Sequence, residues 1–209
     1  MGITPLTRGS LTKAARRLAR DDEDLSAILE KHGPPPLWAR APGFPTLLHI
    51  ILEQQVSLAS AKAVFDRVAA SLAPLTPEAV EAAGEQHLRN LGLTRQKAAY
   101  CMHLAGAITA GSFSLDALAD LEDDEALTNL TRLKGIGPWS AEVYLLMALL
   151  RTDVWPAGDL ALAVAMMKVK RLRRRPQPEK LRQMAEPWRP FRSVAARMLW
   201  QSYLYGGKE

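Results

Sequence analysis

The chain has 209 residues, of which 48% are hydrophobic, enough to bury a substantial core in one large domain or two small ones. Its single cysteine, Cys101, excludes a disulfide framework within the chain and any four-cysteine zinc or iron–sulfur cluster. The net charge of +5 is compatible with a polyanionic partner, but also with many unrelated roles.

The sequence contains no uncharged apolar stretch of about 20 residues that could span a membrane. Its first ten residues, MGITPLTRGS, lack the apolar run of a secretory signal peptide. We therefore expect a cytoplasmic protein in a reducing compartment, with Cys101 buried as a small apolar residue. We also expect it to be a monomer.

Helical periodicity dominates the chain, and no alternating segment rich in Val, Ile and Thr is bounded by turns, which predicts an all-α protein of about ten helices. The acidic residues 21–24 open a helix, and the proline-rich residues 33–45 form the longest candidate linker. Thr76 is expected as an N-cap with Pro77 at the first helical position, and Gly111 ends a helix over RQKAAYCMHLAGAITA. We expect two lobes around a cleft.

The segment LKGIGPWSAE predicts a tight turn between two helices, a hairpin spanning residues 123–151. Gly135 and Gly137 both permit positive φ, and Pro138 suits the first position of a helix. The following backbone amides would point outward, where a DNA phosphate can approach them closely. The alternative is a simple inter-helix turn whose apolar stripe packs in the core.

After this helix, TDVWPAGDLALAVAMM places Asp159 at the start of a nearly wholly apolar helix. Taken alone, an acidic residue there is an ordinary N-cap. The basic run KVKRLRRR, residues 168–175, is either a solvated helix end that complements the helix dipole or a contact with a nucleic-acid backbone.

The combination LKGIGPWSAE…DVWPAGDLAL resembles the signature of the helix-hairpin-helix DNA glycosylases, in their AlkA-like (3-methyladenine DNA glycosylase II) branch. FPTLLHIILEQQVSLASAKAV and EPWRPFRSVAARMLWQSYL resemble two further family segments, in the same order. The resemblance covers roughly residues 20–205. It implies an all-α glycosylase fold without the N-terminal β-domain of some relatives, a segment 1–20 preceding a glycosylase domain 21–209, and a DNA-binding cleft.

The resemblance implies that Asp159 is the catalytic residue. Trp139 occupies the hairpin position where bifunctional relatives carry a Schiff-base lysine, and an indole cannot perform that chemistry. We therefore expect a hydrolase that flips and excises alkylated purines of the N3-methyladenine and N7-methylguanine type from duplex DNA in base excision repair, without lyase activity. The alternative is a non-catalytic helix-hairpin-helix module that only grips DNA.

The resemblance also assigns binding residues. The expected base pocket is aromatic: Trp139, Trp200, Phe44, Trp38 and Tyr203. The expected wedge that enters the DNA minor groove is Gln54, Gln55 and Ser57; alternatively, this Gln-Gln pair merely separates two helices. The expected phosphate contacts in the hairpin are Lys134, Gly135, Gly137, Trp139 and Ser140.

No cofactor is expected to be required. The family often holds a Na⁺ or K⁺ ion through hairpin carbonyls, which would here belong to Thr131, Leu133 and Ile136, and the iron–sulfur cysteines of the endonuclease III branch are missing. Lys134 replaces a common family proline, while Val143 and Leu160 replace family tyrosines, so the preferred base stays open. In a bacterium the protein would be associated with the nucleoid.

Overall fold

The computed structural model describes residues 4–206, and all regular structure within that range is helical, with eleven α-helices, two short 3₁₀ helices and no β-strand. The α-helices are α1 (Arg8–Asp21), α2 (Glu23–His32), α3 (Phe44–Glu53), α4 (Leu58–Ser71), α5 (Pro77–Asn90), α6 (Arg95–Thr109), α7 (Asp123–Thr131), α8 (Pro138–Met147), α9 (Leu160–Val169), α10 (Pro178–Ala185) and α11 (Arg192–Tyr205). The 3₁₀ helices are Asp116–Asp120 and Glu186–Trp188. The all-α prediction is confirmed.

The chain divides into two compact units. Unit 1 consists of residues 1–39 and 145–209, and unit 2 of residues 40–144. The division into a segment 1–20 and a glycosylase domain 21–209 is a different kind of division and stays a prediction. Within the described residues, none of the helices combines the length and the hydropathy that a membrane span requires.

Unit 1 is built around α11. All nine residues from 193 to 201 of this helix are buried, which is typical of a helix enclosed by neighbours on every side. Helices α1, α2 and α9 pack against it. Their apolar residues share one core, to which Leu18, Ile28, Met166 and Leu199 belong.

Lys170, in the basic run, forms ion pairs of 2.8 Å with both Asp22 and Asp24 of the acidic run within unit 1. Asp22 also caps α2 and accepts a hydrogen bond from Trp188 Nε1 at 3.0 Å. Burial opposes ionisation of Asp22, but the hydrogen bonds from Lys170, Trp188 and the Leu25 N–H, together with the charge of Lys170, outweigh it and lower the pKa of Asp22 below the ordinary 3.8. Lys170 therefore stabilises the fold. The other cations of the run remain the candidates for contact with DNA.

Unit 2 contains α3 to α7 and the beginning of α8. The predicted cap at Thr76 is confirmed, since its side chain accepts the Ala79 N–H and Pro77 opens α5. Gly111 follows α6 with φ of 67°, which confirms the predicted helix end. Cys101 is fully buried on α6, as expected.

Candidate active site and nucleic-acid interface

Asp159 is the N-cap of α9, and two donors fix its carboxylate. Its Oδ1 accepts the backbone N–H of Leu162 at 2.7 Å and the indole Nε1–H of Trp200 at 3.0 Å. The first bond is the cap that the sequence predicts, whereas the second joins residues 41 positions apart and has no local signal. Both bonds orient the carboxylate and stabilise its charge.

The loop that leads to Asp159 is fastened to the start of α11. Arg192 donates to both carboxylate oxygens of Asp153 at 3.0 Å and to its backbone carbonyl at 2.7 Å. The hydroxyl of Ser193 accepts the Val154 N–H and donates to the Val154 carbonyl, both at 2.9 Å. Since Trp200 lies on the same helix, α11 holds both the loop and the carboxylate that follows it.

Trp38 and Trp200 form an aromatic pair in unit 1. Their ring centroids are 6.4 Å apart with an interplanar angle of 65°, an edge-to-face arrangement. Trp200 is only 7% exposed and belongs to the core of unit 1, so its ring is held in place by packing, and its role in the base pocket stays a prediction. Trp38 is half-buried, and its φ of 46° lies in the left-handed region that a tryptophan rarely adopts.

A buried arginine holds the segment before Trp38. Arg197 is completely buried, and its guanidinium donates to the carbonyls of Leu37 at 2.9 Å, Ser193 at 3.0 Å and Leu146 at 2.7 Å. Burial lowers its pKa to about 10, which leaves it charged at neutral pH. Arg197 was not predicted from the sequence, where its only signal is a charge within the otherwise small and apolar stretch VAARMLW.

The other expected pocket residues are distributed between the units. Tyr203 lies on α11, three residues after Trp200, with its side chain exposed. Leu160, beside Asp159, is 60% exposed. Phe44 and Trp139 belong to unit 2, where Phe44 is buried at the start of α3 and Trp139 is half-buried in the first turn of α8. Their pocket roles stay predictions.

The hairpin turn, residues 133–137, connects α7 to α8, and its two glycines differ. Gly135 has φ of 93°, and a side chain there would collide with the ring of Tyr100. Gly137 does not use the positive φ that glycine permits, and a Cβ built on it meets no atom within 4 Å. Packing within the protein therefore explains why position 135 is a glycine, but not why position 137 is one. The bare surface at Gly137 leaves room for an external group.

Gln54 links the end of α3 to the hairpin. Its Nε2 donates to the Gly135 carbonyl at 2.8 Å and to the Ser140 hydroxyl at 2.9 Å. Ser140 is 2% exposed, so its hydroxyl faces the protein, whereas Lys134 is exposed. The side chain of Gln54 was expected in the wedge and that of Ser140 on a phosphate. Both instead form hydrogen bonds within unit 2.

Gln55 is the exposed member of the expected wedge. Its φ of 57° turns the chain between α3 and α4, and residues 55–58, here named the tip, are all exposed. Ser57 caps α4 by accepting the Ser60 N–H at 3.2 Å. The tip also exposes two large apolar side chains that were not predicted from the sequence, Val56 at 48% and Leu58 at 64% exposure.

A family model described as "HhH-GPD superfamily base excision DNA repair protein" matches residues 48–190. This range contains the tip, the hairpin and Asp159, and is more than half of the chain. The chain belongs to the HhH-GPD superfamily. The resemblance stated from its motifs is confirmed.

Proteins named as DNA glycosylases match along most of the chain. DNA-3-methyladenine glycosylase 1 of Schizosaccharomyces pombe is 28% identical over 200 residues, which cover 92% of this chain and 88% of that protein. YfjP of Bacillus subtilis is 28% identical over 186 residues, covering 85% of this chain and 65% of that protein, so the chain spans less than two thirds of this relative. The solved structure of S. pombe 3-methyladenine DNA glycosylase with abasic DNA superposes with a TM-score of 0.81 at 26% identity, covering 91% of this chain and 96% of that one.

The carbonyls expected to bind a monovalent cation lie around the turn of this HhH-GPD hairpin. Leu133 accepts the Ile136 N–H at 3.0 Å, which leaves its second lone pair for another partner. Thr131 is the last residue of α7. Neutral carbonyl oxygens suit a hard cation, so the donor chemistry is compatible with Na⁺ or K⁺, and the ion itself stays a prediction.

Proposed function

We propose that this protein is a monofunctional DNA glycosylase that flips an alkylated purine out of duplex DNA and hydrolyses its glycosidic bond. The observation that carries the proposal is the carboxylate of Asp159, fixed by two donors beside the Trp38–Trp200 pair. The names of the relatives, DNA-3-methyladenine glycosylases, support N3-methyladenine as a substrate, and we extend the proposal to N7-methylguanine because it is likewise a cationic alkylated purine. The expected partner is duplex DNA, bound by a monomer.

The chemistry suits a lone carboxylate. A purine alkylated at N3 or N7 is already a cationic leaving group, so it departs without a strong general acid. Positive charge instead develops on the sugar as the bond breaks. A carboxylate about 4 Å away would stabilise that charge by about 4 kcal/mol at an effective dielectric constant of 20, which corresponds to about 10³-fold in rate.

Asp159 would also orient the water that attacks the sugar and accept its proton. The two bonds to Oδ1 hold the carboxylate in one orientation before substrate arrives. Such preorganisation is effective because little reorganisation is needed at the moment of reaction. The aromatic pair supplies π-surface, which favours an electron-poor, cationic base through stacking and cation–π attraction.

The hairpin and the tip supply the DNA contacts in this proposal. The bare surface at Gly137 allows a phosphate to approach the backbone amides at the start of α8. Phosphate contacts position the duplex without reading its sequence. Gln55, at the exposed tip, would fill the space that the flipped base leaves.

Trp139 at the hairpin supports hydrolysis without strand cleavage. A lyase needs an amine that forms a Schiff base with the sugar, and an indole offers none. Borohydride should therefore trap no covalent adduct between this protein and damaged DNA. A trapped adduct would contradict the monofunctional assignment.

The proposed reaction is tested by incubating the protein with a duplex methylated by dimethyl sulfate. Excision without lyase activity releases free methylated bases and leaves abasic sites in intact strands, so mass spectrometry should detect the released bases while the strands stay unbroken. Strand breaks formed during the incubation would contradict a monofunctional enzyme. Absence of released bases, with DNA binding retained, would favour a non-catalytic binding module.

A further inference from the structure

The last three residues before the tip are each held by a different partner within unit 2. Lys97 Nζ donates to the carbonyl of Leu52 at 2.7 Å. The guanidinium of Arg40 makes two hydrogen bonds to the carboxylate of Glu53, at 3.0 and 2.8 Å. Gln54 makes the two bonds to the hairpin described above. The chain is thus anchored at three consecutive positions.

Immediately after these anchors, all four residues of the tip are exposed. Gln55 has positive φ, and the apolar side chains of Val56 and Leu58 are open to solvent. Exposed apolar side chains on a tight turn are suited to insertion between base steps. Three anchored residues followed by four exposed ones indicate that the tip is a rigidly supported surface that contacts another molecule.

Gln54 connects this support to the hairpin turn itself. The amide nitrogen of a glutamine carries two hydrogens, and both are used here, on either side of Pro138. One goes to the carbonyl of Gly135, whose Cα faces the ring of Tyr100. The other goes to the buried hydroxyl of Ser140 in the first turn of α8.

We infer that Gln54 is a positioning residue that fixes the tip at one distance from the hairpin turn, so that a duplex gripped by its phosphates meets the tip in register for base flipping. This inference rests on the proposed function. Displacement of a positioned group by about 1 Å can cost about 100-fold in rate. The hydrogen bonds from Gln54 to the hairpin should raise the excision rate only for substrates whose damaged base must first be forced out of a base pair.

The test is the single-turnover excision of 7-methylguanine placed at one position, either opposite cytosine or opposite a tetrahydrofuran abasic analogue. Gln54→Met has similar length but no donors. It should slow excision opposite cytosine by about 10-fold or more, and excision opposite the abasic analogue by less than about 3-fold, since that base is unpaired. Fluorescence of 2-aminopurine beside the lesion should show the same selective loss of flipping.

Two further variants keep this test decisive. Gln86→Met makes the same chemical change on α5, where Gln86 donates to Asn90 on its own helix, and should leave both rates unchanged. Ser140→Ala removes one of the two acceptors and should give an intermediate, equally selective loss. Because Ser140→Ala is a smaller change, it still tests the inference if Gln54→Met does not fold.

The outcomes separate the inference from the proposed function. If the wild type excises the base but the variants lose equal activity on both substrates, or none, Gln54 has no positioning role. If the wild type excises neither base, the proposed function fails and the inference fails with it. A loss confined to the paired substrate supports both.

Discussion

The indole Nε1 of Trp200 donates to the same carboxylate oxygen of Asp159 that caps α9, at a distance of 3.0 Å. An N-cap aspartate is ordinarily satisfied by backbone N–H groups of its own helix. Here a second donor arrives from α11, which also holds the preceding loop through Arg192 and Ser193. The carboxylate is therefore fixed by tertiary structure as well as by its own helix.

Removal of this indole donor should slow catalysis. Trp200→Phe keeps an aromatic ring but loses the hydrogen bond, and we expect single-turnover excision to fall about 10-fold, equivalent to about 1.4 kcal/mol. The matched control is Trp155→Phe in the same core, because Trp155 Nε1 is buried and has no hydrogen-bond partner among the described residues. An equal fall in both variants would assign the loss to core packing.

Alanine at the two hairpin glycines should affect different properties, namely stability at position 135 and DNA affinity at position 137. Gly135→Ala meets both positive φ and the Tyr100 ring, so the free energy of unfolding in urea should fall by more than about 1 kcal/mol. Gly137→Ala has open space and should fold normally. It should weaken DNA binding about 10-fold, equally for damaged and undamaged duplexes.

Unchanged affinity in Gly137→Ala would contradict a phosphate contact at this glycine. Fluorescence anisotropy with a labelled duplex measures the affinity, and urea denaturation of both variants measures stability. Normal stability in Gly135→Ala would show that the turn tolerates a side chain.

Local sequence patterns predicted the helices, the cap at Asp159 and the turn at Gly135, because each depends on neighbours within a few residues. The two glycines of GIG look alike in sequence, and only their backbone conformation and the position of Tyr100 distinguish them. The partners of Gln54 lie 81 and 86 residues away. No local pattern encodes such contacts, so the link to the hairpin and the burial of Arg197 required the structure.

The basic run should divide into one structural cation and several available ones. Replacement of Arg173, Arg174 and Arg175 by Gln should reduce the slope of log K against log salt concentration by about 0.9 for each DNA phosphate that these arginines neutralise. Lys170→Met should leave the slope unchanged and instead destabilise the fold, because Lys170 pairs with Asp22 and Asp24. An unchanged slope in the triple variant would indicate that the basic run is a solvated helix end that does not contact DNA.

Cys101 should be chemically inert in the folded protein. Burial raises the pKa of its thiol to about 12, and the thiolate is the reactive form. At pH 8 we expect no reaction with Ellman's reagent under native conditions and one thiol titrated per chain in urea. Rapid native labelling would contradict the burial of α6 at this position.

The central claim is that the charge of Asp159 performs the chemistry, and Asp159→Asn tests it most directly. Asparagine is also a good N-cap, and its Oδ1 can accept the same bonds from Leu162 and Trp200, so the cap is kept while the charge is lost and the second oxygen becomes an NH₂ group. With DNA affinity unchanged, we predict that single-turnover release of free 7-methylguanine, measured by mass spectrometry, falls about 10³-fold. Release at the wild-type rate would contradict the claim.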